Sequence, residues 1–272
     1  MPRHSVIALA VVLALSSAAC SRMSFVKPSA KRGDSEQVAP RYDFRGTPQS
    51  RQRTETRLQV ARGAQALRNG DVDTAERELR AALRHDPDNF NALTLMAVIE
   101  SHRGRDAQAG ELYARAASTA PHIGGAQENY GAWLCANGRP AEGMTYLDRA
   151  LATPGYSEPA GALANAGACA EAAGQPDRIE RDLRAALRLQ PANAVALSAM
   201  AQYKYRRGNY LEARAFSERR LAAAPPTADV LLIASQIEDR LGDRAAAERY
   251  RRRLGREFPQ ALSAQPGESS RP

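Results

Sequence analysis

Between Ala75 and Leu83 apolar and charged residues alternate on a helical period. Ala75, Leu79, Ala82 and Leu83 fall at i, i+4, i+7 and i+8, with Glu76, Arg77, Glu78 and Arg80 between them. That spacing draws one apolar stripe along an amphipathic helix and leaves the charges to water. The pattern recurs along the chain. Glycines at 70, 104, 138, 174, 208 and 242 are spaced 34, 34, 36, 34 and 34 residues apart. Prolines at 87, 121, 191, 225 and 259 keep the same 34-residue step on either side of one gap. A self-similarity of 34 residues is the period of a solenoid of helix–turn–helix units.

Starting each unit fourteen residues before its glycine gives repeats at 56–89, 90–123, 124–157, 160–193, 194–227 and 228–261. At the packing positions these units are similar to the tetratricopeptide repeat family. Position 8, small so that the first helix (A) of a repeat can be approached closely, is Gly63, Ala97, Gly131, Gly167, Ala201 and Ser235. Position 20, where helix B meets helix A, is Ala75, Ala109, Gly143, Ile179, Ala213 and Ala247. Position 27 is alanine at Ala82, Ala116, Ala150 and Ala186, then departs to Arg220 and Leu254, which leaves the helix B register of repeats 5 and 6 open.

Each glycine ends helix A, a place for a residue with positive φ. Asp71, Asn209 and Asp243 follow three of these glycines as starters for helix B, and Asn89 and Asn193 stand where a new helix A needs its cap. The proline closes the repeat because it cannot supply the next backbone donor. The one 36-residue step is a two-residue insertion within Thr153–Pro159. The expected fold is all-α: a right-handed superhelical solenoid of six tetratricopeptide repeats, with twelve antiparallel helices. Aromatic residues are only 6% of the chain, so close packing of alanine has to supply the core. Each repeat then buries its faces only against its neighbours, and stability is roughly additive along the array.

The ends fix the domain layout. Residues 1–19 carry Arg3 and His4, then VIALAVVLALSSAA, then Cys20, which reads as a secretory signal too short to span a bilayer. Ser17-Ala18-Ala19-Cys20 resembles a bacterial lipobox, with Cys20 as the lipidated first mature residue. It departs from the usual pattern at Ser17, where leucine is normal, and ordinary signal cleavage is the other reading. Ser21 after the cysteine implies outer-membrane sorting in that lipoprotein class. Residues 20–53 form a lipid-anchored flexible tether of roughly 30–35 Å reach, 54–261 the six-repeat domain, and 262–272 a disordered tail. The tether carries eight Lys and Arg against three acids from residue 21 on. It fits either an anionic surface, lipid or peptidoglycan, or a solvated linker.

The chain's net charge is +8, and +7 without the signal's Arg3. Export argues against nucleic acid as the partner, and no nucleic-acid motif appears. The run Arg249, Arg251, Arg252, Arg253 and Arg256 sits on the last helix. It reads as a solvated face capping the array or as a docking patch for an acidic partner.

Cys135 and Cys169 lie on the A helices of adjacent repeats, at positions 12 and 10. In an oxidising compartment they are candidates for a disulfide, worth roughly 3–4 kcal/mol for a loop of that length. The alternative is two buried free thiols. Histidines 4, 85, 102 and 122 show no metal-ligand spacing, and no phosphate loop, HExxH or nucleophile elbow is present. The sequence calls for no metal, cofactor, small-molecule substrate or catalytic residue, and the chain reads as a non-enzyme.

One stretch is more specific. Asn129-Tyr130-Gly131-Ala132-Trp133-Leu134-Cys135, then Tyr156-Ser157-Glu158-Pro159, then Asn165-Ala166-Gly167-Ala168-Cys169-Ala170 resemble the type IV pilus biogenesis and stability lipoproteins. That family, known as PilF or PilW, comprises the pilotins of the pilus secretin PilQ. The resemblance implies a lipoprotein on the periplasmic face of the outer membrane of a Gram-negative bacterium. Such a protein binds secretin subunits, promotes their localisation and multimerisation, and so supports pilus biogenesis and twitching motility. A general periplasmic adaptor for envelope or peptidoglycan machinery is the alternative.

In such repeats the groove is lined from positions 2, 5, 9, 12 and 13 of helix A. Repeat 1 offers Arg57, Val60, Ala64, Leu67 and Arg68, an apolar strip between cations that reads either as a docking site or as a surface packed under the tether. Repeat 2 adds Val98 and His102, and repeat 5 adds Gln202, Tyr205 and Arg206. Asn129 and Asn165, at position 6, read as structural links between successive A helices.

Overall fold

The computed structural model describes residues 47–260. The signal at 1–19, Cys20, the tether up to residue 46 and the tail at 262–272 lie outside the described residues. Twelve helices and no strand occur among the described residues. They pair as α1 (Pro48–Arg68) with α2 (Val72–His85), α3 (Phe90–His102) with α4 (Asp106–Thr119), and α5 (Gly124–Ala136) with α6 (Pro140–Ala152). The second half continues with α7 (Pro159–Cys169) and α8 (Asp177–Leu189), α9 (Ala194–Arg206) and α10 (Tyr210–Ala223), and α11 (Ala228–Leu241) and α12 (Arg244–Glu257). Six helix–turn–helix repeats therefore stand in the register that the glycine period predicts.

The first helix starts earlier than expected. Pro48 to Arg53, assigned above to the tether, form the opening turns of α1. Thr47 explains the boundary, because its Oγ1 accepts a hydrogen bond from the Ser50 amide at 3.1 Å, and Pro48 follows as the first helical residue. A threonine cap before a proline is a strong local start signal.

Each A helix ends as the period demands. Gly70, Gly104, Gly138, Gly174, Gly208 and Gly242 have φ between 70° and 81°, a conformation that an L side chain enters only with strain. Helix B then starts on Asp71 and Asp243, whose carboxylates accept from the Thr74 and Ala246 amides at 3.0 and 2.9 Å. Asn209 makes no such side-chain bond; only its carbonyl takes part, accepting from Ala213 N at 2.9 Å. Asn89 and Asn193 cap α3 and α9 through bonds from Ala92 and Ala196.

All twelve residues at positions 8 and 20 are buried, and the two positions meet in repeats 1 and 3. The approach is closest in repeat 3. A Cβ on Gly131 would stand 2.9 Å from the Gly143 carbonyl oxygen and 3.1 Å from the Leu147 amide nitrogen. In repeats 1 and 4 the added atom would meet Leu79 and Leu183 at 2.7 and 2.6 Å. Helix A thus lies against helix B with almost no side chain between them, and large residues fill only the flanks: Leu79, Leu93, Leu134, Met144, Leu147, Leu183, Leu197, Met200 and Leu231 are all essentially inaccessible.

Between repeats a second register operates. Position 21 of one helix B faces position 11 of the next helix A. At both ends of the array these positions are charged, and at the first joint, where both are acidic, Arg103 from position 14 bridges them. Glu76 binds Arg103 beside Glu100, Glu180 binds Lys204 at 2.8 Å, and Arg214 binds Glu238 at 3.0 Å. In the middle the same positions are uncharged and buried: Gly110, on which Trp133 packs, Leu134, Met144 and Ala170. Glu100, Lys204 and Glu238 are 5–6% exposed, and each keeps a partner of opposite charge, the condition for burying a charge. The Lys204 ammonium holds the Glu180 carboxyl below the usual carboxylate range.

The departures at position 27 leave helix B in register. Leu254 is 3% exposed and Arg220 is 7% exposed. Arg220 donates to Ser198 Oγ at 3.1 Å and to the Ala224 and Pro225 carbonyls at 2.9 and 3.3 Å. Its cation closes the carbonyl end of α10, where the helix dipole favours positive charge.

The close approach yields a direct test. Gly131→Ala should cost about 1–3 kcal/mol, because the added methyl group meets the Gly143 and Leu147 backbone as well as the buried Leu147 side chain. Gly125→Ala, on the same helix with nothing within 4 Å of the new atom, should be neutral or stabilising by about 0.5 kcal/mol. Equilibrium urea unfolding of both variants checks this, and equal midpoints would contradict the packing.

Candidate functional site

The groove residues of repeat 1 are spread between solvent and core. Arg57 and Arg68 are exposed, while Val60, Ala64 and Leu67 are half-buried. Val60 and Leu67 pack against a cluster that includes Ala66, Leu79, Met96 and Ile99, so repeat 2 already covers part of both side chains. On repeat 2 Val98 is half-buried and His102 is exposed at the end of α3. On repeat 5 Gln202 and Tyr205 are half-buried and Arg206 is exposed.

Repeat 5 is the better knit of these surfaces. Tyr205 lies 5.6 Å from Tyr210, and the Arg240 guanidinium sits 5.6 Å over the Tyr210 ring. Arg206 pairs with Glu171 of the preceding repeat at 2.6 Å. The two ends of a groove thus differ chemically: on repeat 1 an apolar strip between exposed arginines without an ion pair among the described residues, and on repeat 5 aromatic rings with an ion-paired cation.

Every specific residue of the 129–135 stretch has a packing role except Asn129. Tyr130 is 8% exposed, edge-on to Tyr146 at 4.6 Å between centroids. Trp133 occupies the place where a Cβ on Gly110 would be, 2.3 Å from the indole. Leu134 is fully buried, and Cys135 is joined to Cys169 with Cα atoms 5.7 Å apart. Gly143 leaves room for that bridge, since a Cβ there would fall 2.5 Å from Cys135 Sγ.

Asn165 does link two A helices, donating to Glu128 Oε1 at 3.0 Å. Asn129, expected to act likewise, is exposed and makes no such bond. The reason lies one repeat back. The residue preceding Asn165 by one repeat at position 5 is the acceptor Glu128, whereas the matching residue for Asn129 is Thr94, whose hydroxyl is buried and unbonded.

Glu128 is the centre of an arrangement that the sequence did not announce. Tyr156, carried by the two-residue insertion, donates its hydroxyl to Glu128 Oε2. Its ring lies where a Cβ on Gly124 would be. Glu128, Glu158, Pro159, Gly161, Leu189 and Gln190 line a cavity of about 580 Å³ beside this network. Burial pushes the Glu128 carboxyl above the usual carboxylate range and Glu158 adds to the rise, while the bonds from Tyr156 and Asn165 pull it back. Burial and the neighbouring Glu128 push the Tyr156 phenol up. The readable signal was a glutamate at groove position 5, a tyrosine in the only insertion and a glycine at position 2.

The arginine run of α12 is largely tied within its own region. Arg251 bridges Asp239 and Glu248, Arg252 pairs with Glu248, and Arg253 and Arg256 pair with Glu257. Among the described residues no group of His, Cys, Asp and Glu comes together that could hold a metal ion. No helix among them is long and apolar enough to cross a membrane.

The comparisons with known proteins agree with this geometry. The tetratricopeptide repeat family profile matches residues 66–126. The crystal structure of PilW, a widely conserved type IV pilus biogenesis factor, is similar with a TM-score of 0.63 and 30% identity, over 77% of this chain and 98% of that one. The type IV pilus assembly protein PilF of Pseudomonas aeruginosa is 25% identical over 199 residues, 73% of this chain and 79% of PilF. The solved structure of Pseudomonas aeruginosa PilF gives a TM-score of 0.62 at 24% identity, over 79% and 96% of the two chains.

The Glu128 network predicts a specific titration. A folded pKa raised above the unfolded value means that the folded chain holds the proton more tightly. Glu128's contribution to stability is therefore complete below the usual carboxylate range and is lost as pH rises through the raised folded value. Tyr156→Phe removes a bond to the charged form, so the Glu128 midpoint should move further up and the loss to higher pH. Carboxyl ¹³C NMR reads the midpoint; an unchanged or lower value in the variant would refute the network.

Proposed function

We propose that this chain, which belongs to the PilW and PilF family of tetratricopeptide type IV pilus biogenesis proteins, is a non-enzymatic scaffold for the pilus secretin. The observation that carries the reading is coverage. The similarity to PilW runs over 98% of that structure at 30% identity, so the whole repeat block is shared rather than one generic repeat. The motif segment reinforces it, because its cysteines and Tyr156 build the packed junction of repeats 3 and 4 and Trp133 packs repeat 3 onto repeat 2.

Under this reading Cys20 carries lipid, and the protein sits on the periplasmic face of the outer membrane. The repeat block hangs from the tether and takes secretin subunits in its groove. Confinement to a surface then works by mass action, raising the local concentration of bound subunits so that they meet and multimerise. The unlike ends of the groove suit an elongated segment held at several weak contacts.

The test is the secretin in outer membranes of a strain lacking this protein. Detergent-resistant multimers should disappear while monomers persist, and the intact gene should restore them. The Cys20→Ala form should leave the membrane fraction and restore multimers poorly. Unchanged multimers in the deletion strain would remove the secretin reading in favour of a general envelope adaptor.

A further inference from the structure

We infer that the cavity between repeats 3 and 4 is a docking site for a peptide segment of another protein that carries a lysine or arginine beside an apolar residue. The site lies outside the groove positions of repeats 1, 2 and 5. It rests on the chain being a peptide-binding scaffold, and not on which protein supplies the peptide.

The carboxylate at its floor is treated unlike the others. The buried Glu100, Asp182 and Glu238 are each matched by an arginine within the chain. Glu128 is half-buried, and its two oxygens accept only from neutral groups, the Tyr156 hydroxyl and the Asn165 amide. Each oxygen keeps a further lone pair for a donor from outside. Glu158 on the rim is exposed and forms no ion pair either. In a chain of net charge +8, this is a place where negative charge is left uncompensated at a concave surface.

The rim supplies the apolar half of the specificity. Leu189, 59% exposed, is one of four large apolar side chains left in solvent among the described residues, and it lines the cavity with Pro159. At about 580 Å³ the space fits the common range of ligand sites and holds one long side chain with its neighbours. Gly161 keeps the space open, since a methyl group there would fall 2.4 Å from Glu128 Oε1. Glu128 and Gly161 occupy repeat positions 5 and 2, the helix A face through which repeat arrays take extended peptides. A cationic side chain entering beside Leu189 meets Glu128 and Glu158, while an acidic one meets two like charges and is rejected.

The full-length protein should be panned against a display library of random dodecapeptides. Selected peptides, made synthetically with a fluorescent label, are then titrated by anisotropy. Lysine or arginine next to leucine, isoleucine, valine or phenylalanine should be enriched, with affinity falling as salt rises. Glu128→Gln and Leu189→Ser should each weaken these peptides about tenfold or more. The leucine is exposed, so its replacement leaves the fold intact, and circular dichroism verifies both variants. Peptides without a basic residue, affinities unchanged in both variants, or no enrichment would overturn the site. The secretin assay above is independent: peptide capture without a secretin effect would keep this cavity and remove that partner, and the reverse result would do the opposite.

Discussion

The structure depends on how closely two backbones approach inside each repeat. At Gly131 and Gly143 a single added carbon on either residue would stand within 3 Å of the other's carbonyl oxygen. That closeness lets an alanine-rich chain bury itself with few aromatic residues. It also fixes the angle between helices A and B, and therefore the stacking of one repeat on the next. Between repeats, ion pairs around positions 21 and 11 then tie the two ends of the array, and Trp133 on Gly110 and the Cys135–Cys169 bridge tie the middle. The arrangement spares a buried charge wherever the neighbouring repeat offers only a small or apolar residue.

Much of this was legible in the sequence because the determining residues have little choice. A helix end at positive φ calls for glycine, and six of them at one spacing set the period. Asp71 and Asn193 announced their helices because a short polar side chain at that place has a local bond to make. The start of α1 was missed for a related reason: Thr47-Pro48 is a start signal that falls in a polar stretch with no apolar period to draw attention to it. Arg220 left the register open. Its long side chain instead bonds the carbonyls that a packed alanine leaves to a turn.

Glu128 was hidden differently. On a helix surface a glutamate is ordinarily solvated, and nothing near it in sequence says otherwise. Its environment comes from a tyrosine 28 residues away, carried by the one insertion that interrupts the period, and an asparagine 37 away on the next helix A. The groove residues of repeat 1 show the opposite limit. Their apolar character was plain, but repeat 2's share in covering Val60 and Leu67 is a tertiary fact.

The insertion and the disulfide fall on the junction of repeats 3 and 4 and the Trp133 contact on that of repeats 2 and 3, so the middle of the array is bound more tightly than a uniform solenoid would be. Native-state hydrogen exchange on oxidised and reduced protein, read peptide by peptide, tests this most directly. The account predicts the slowest exchange in α5 to α8, faster exchange towards α1 and α12, and a clear loss of central protection on reduction. Protection spread evenly, greatest at a terminal repeat, or unmoved by reduction would contradict it.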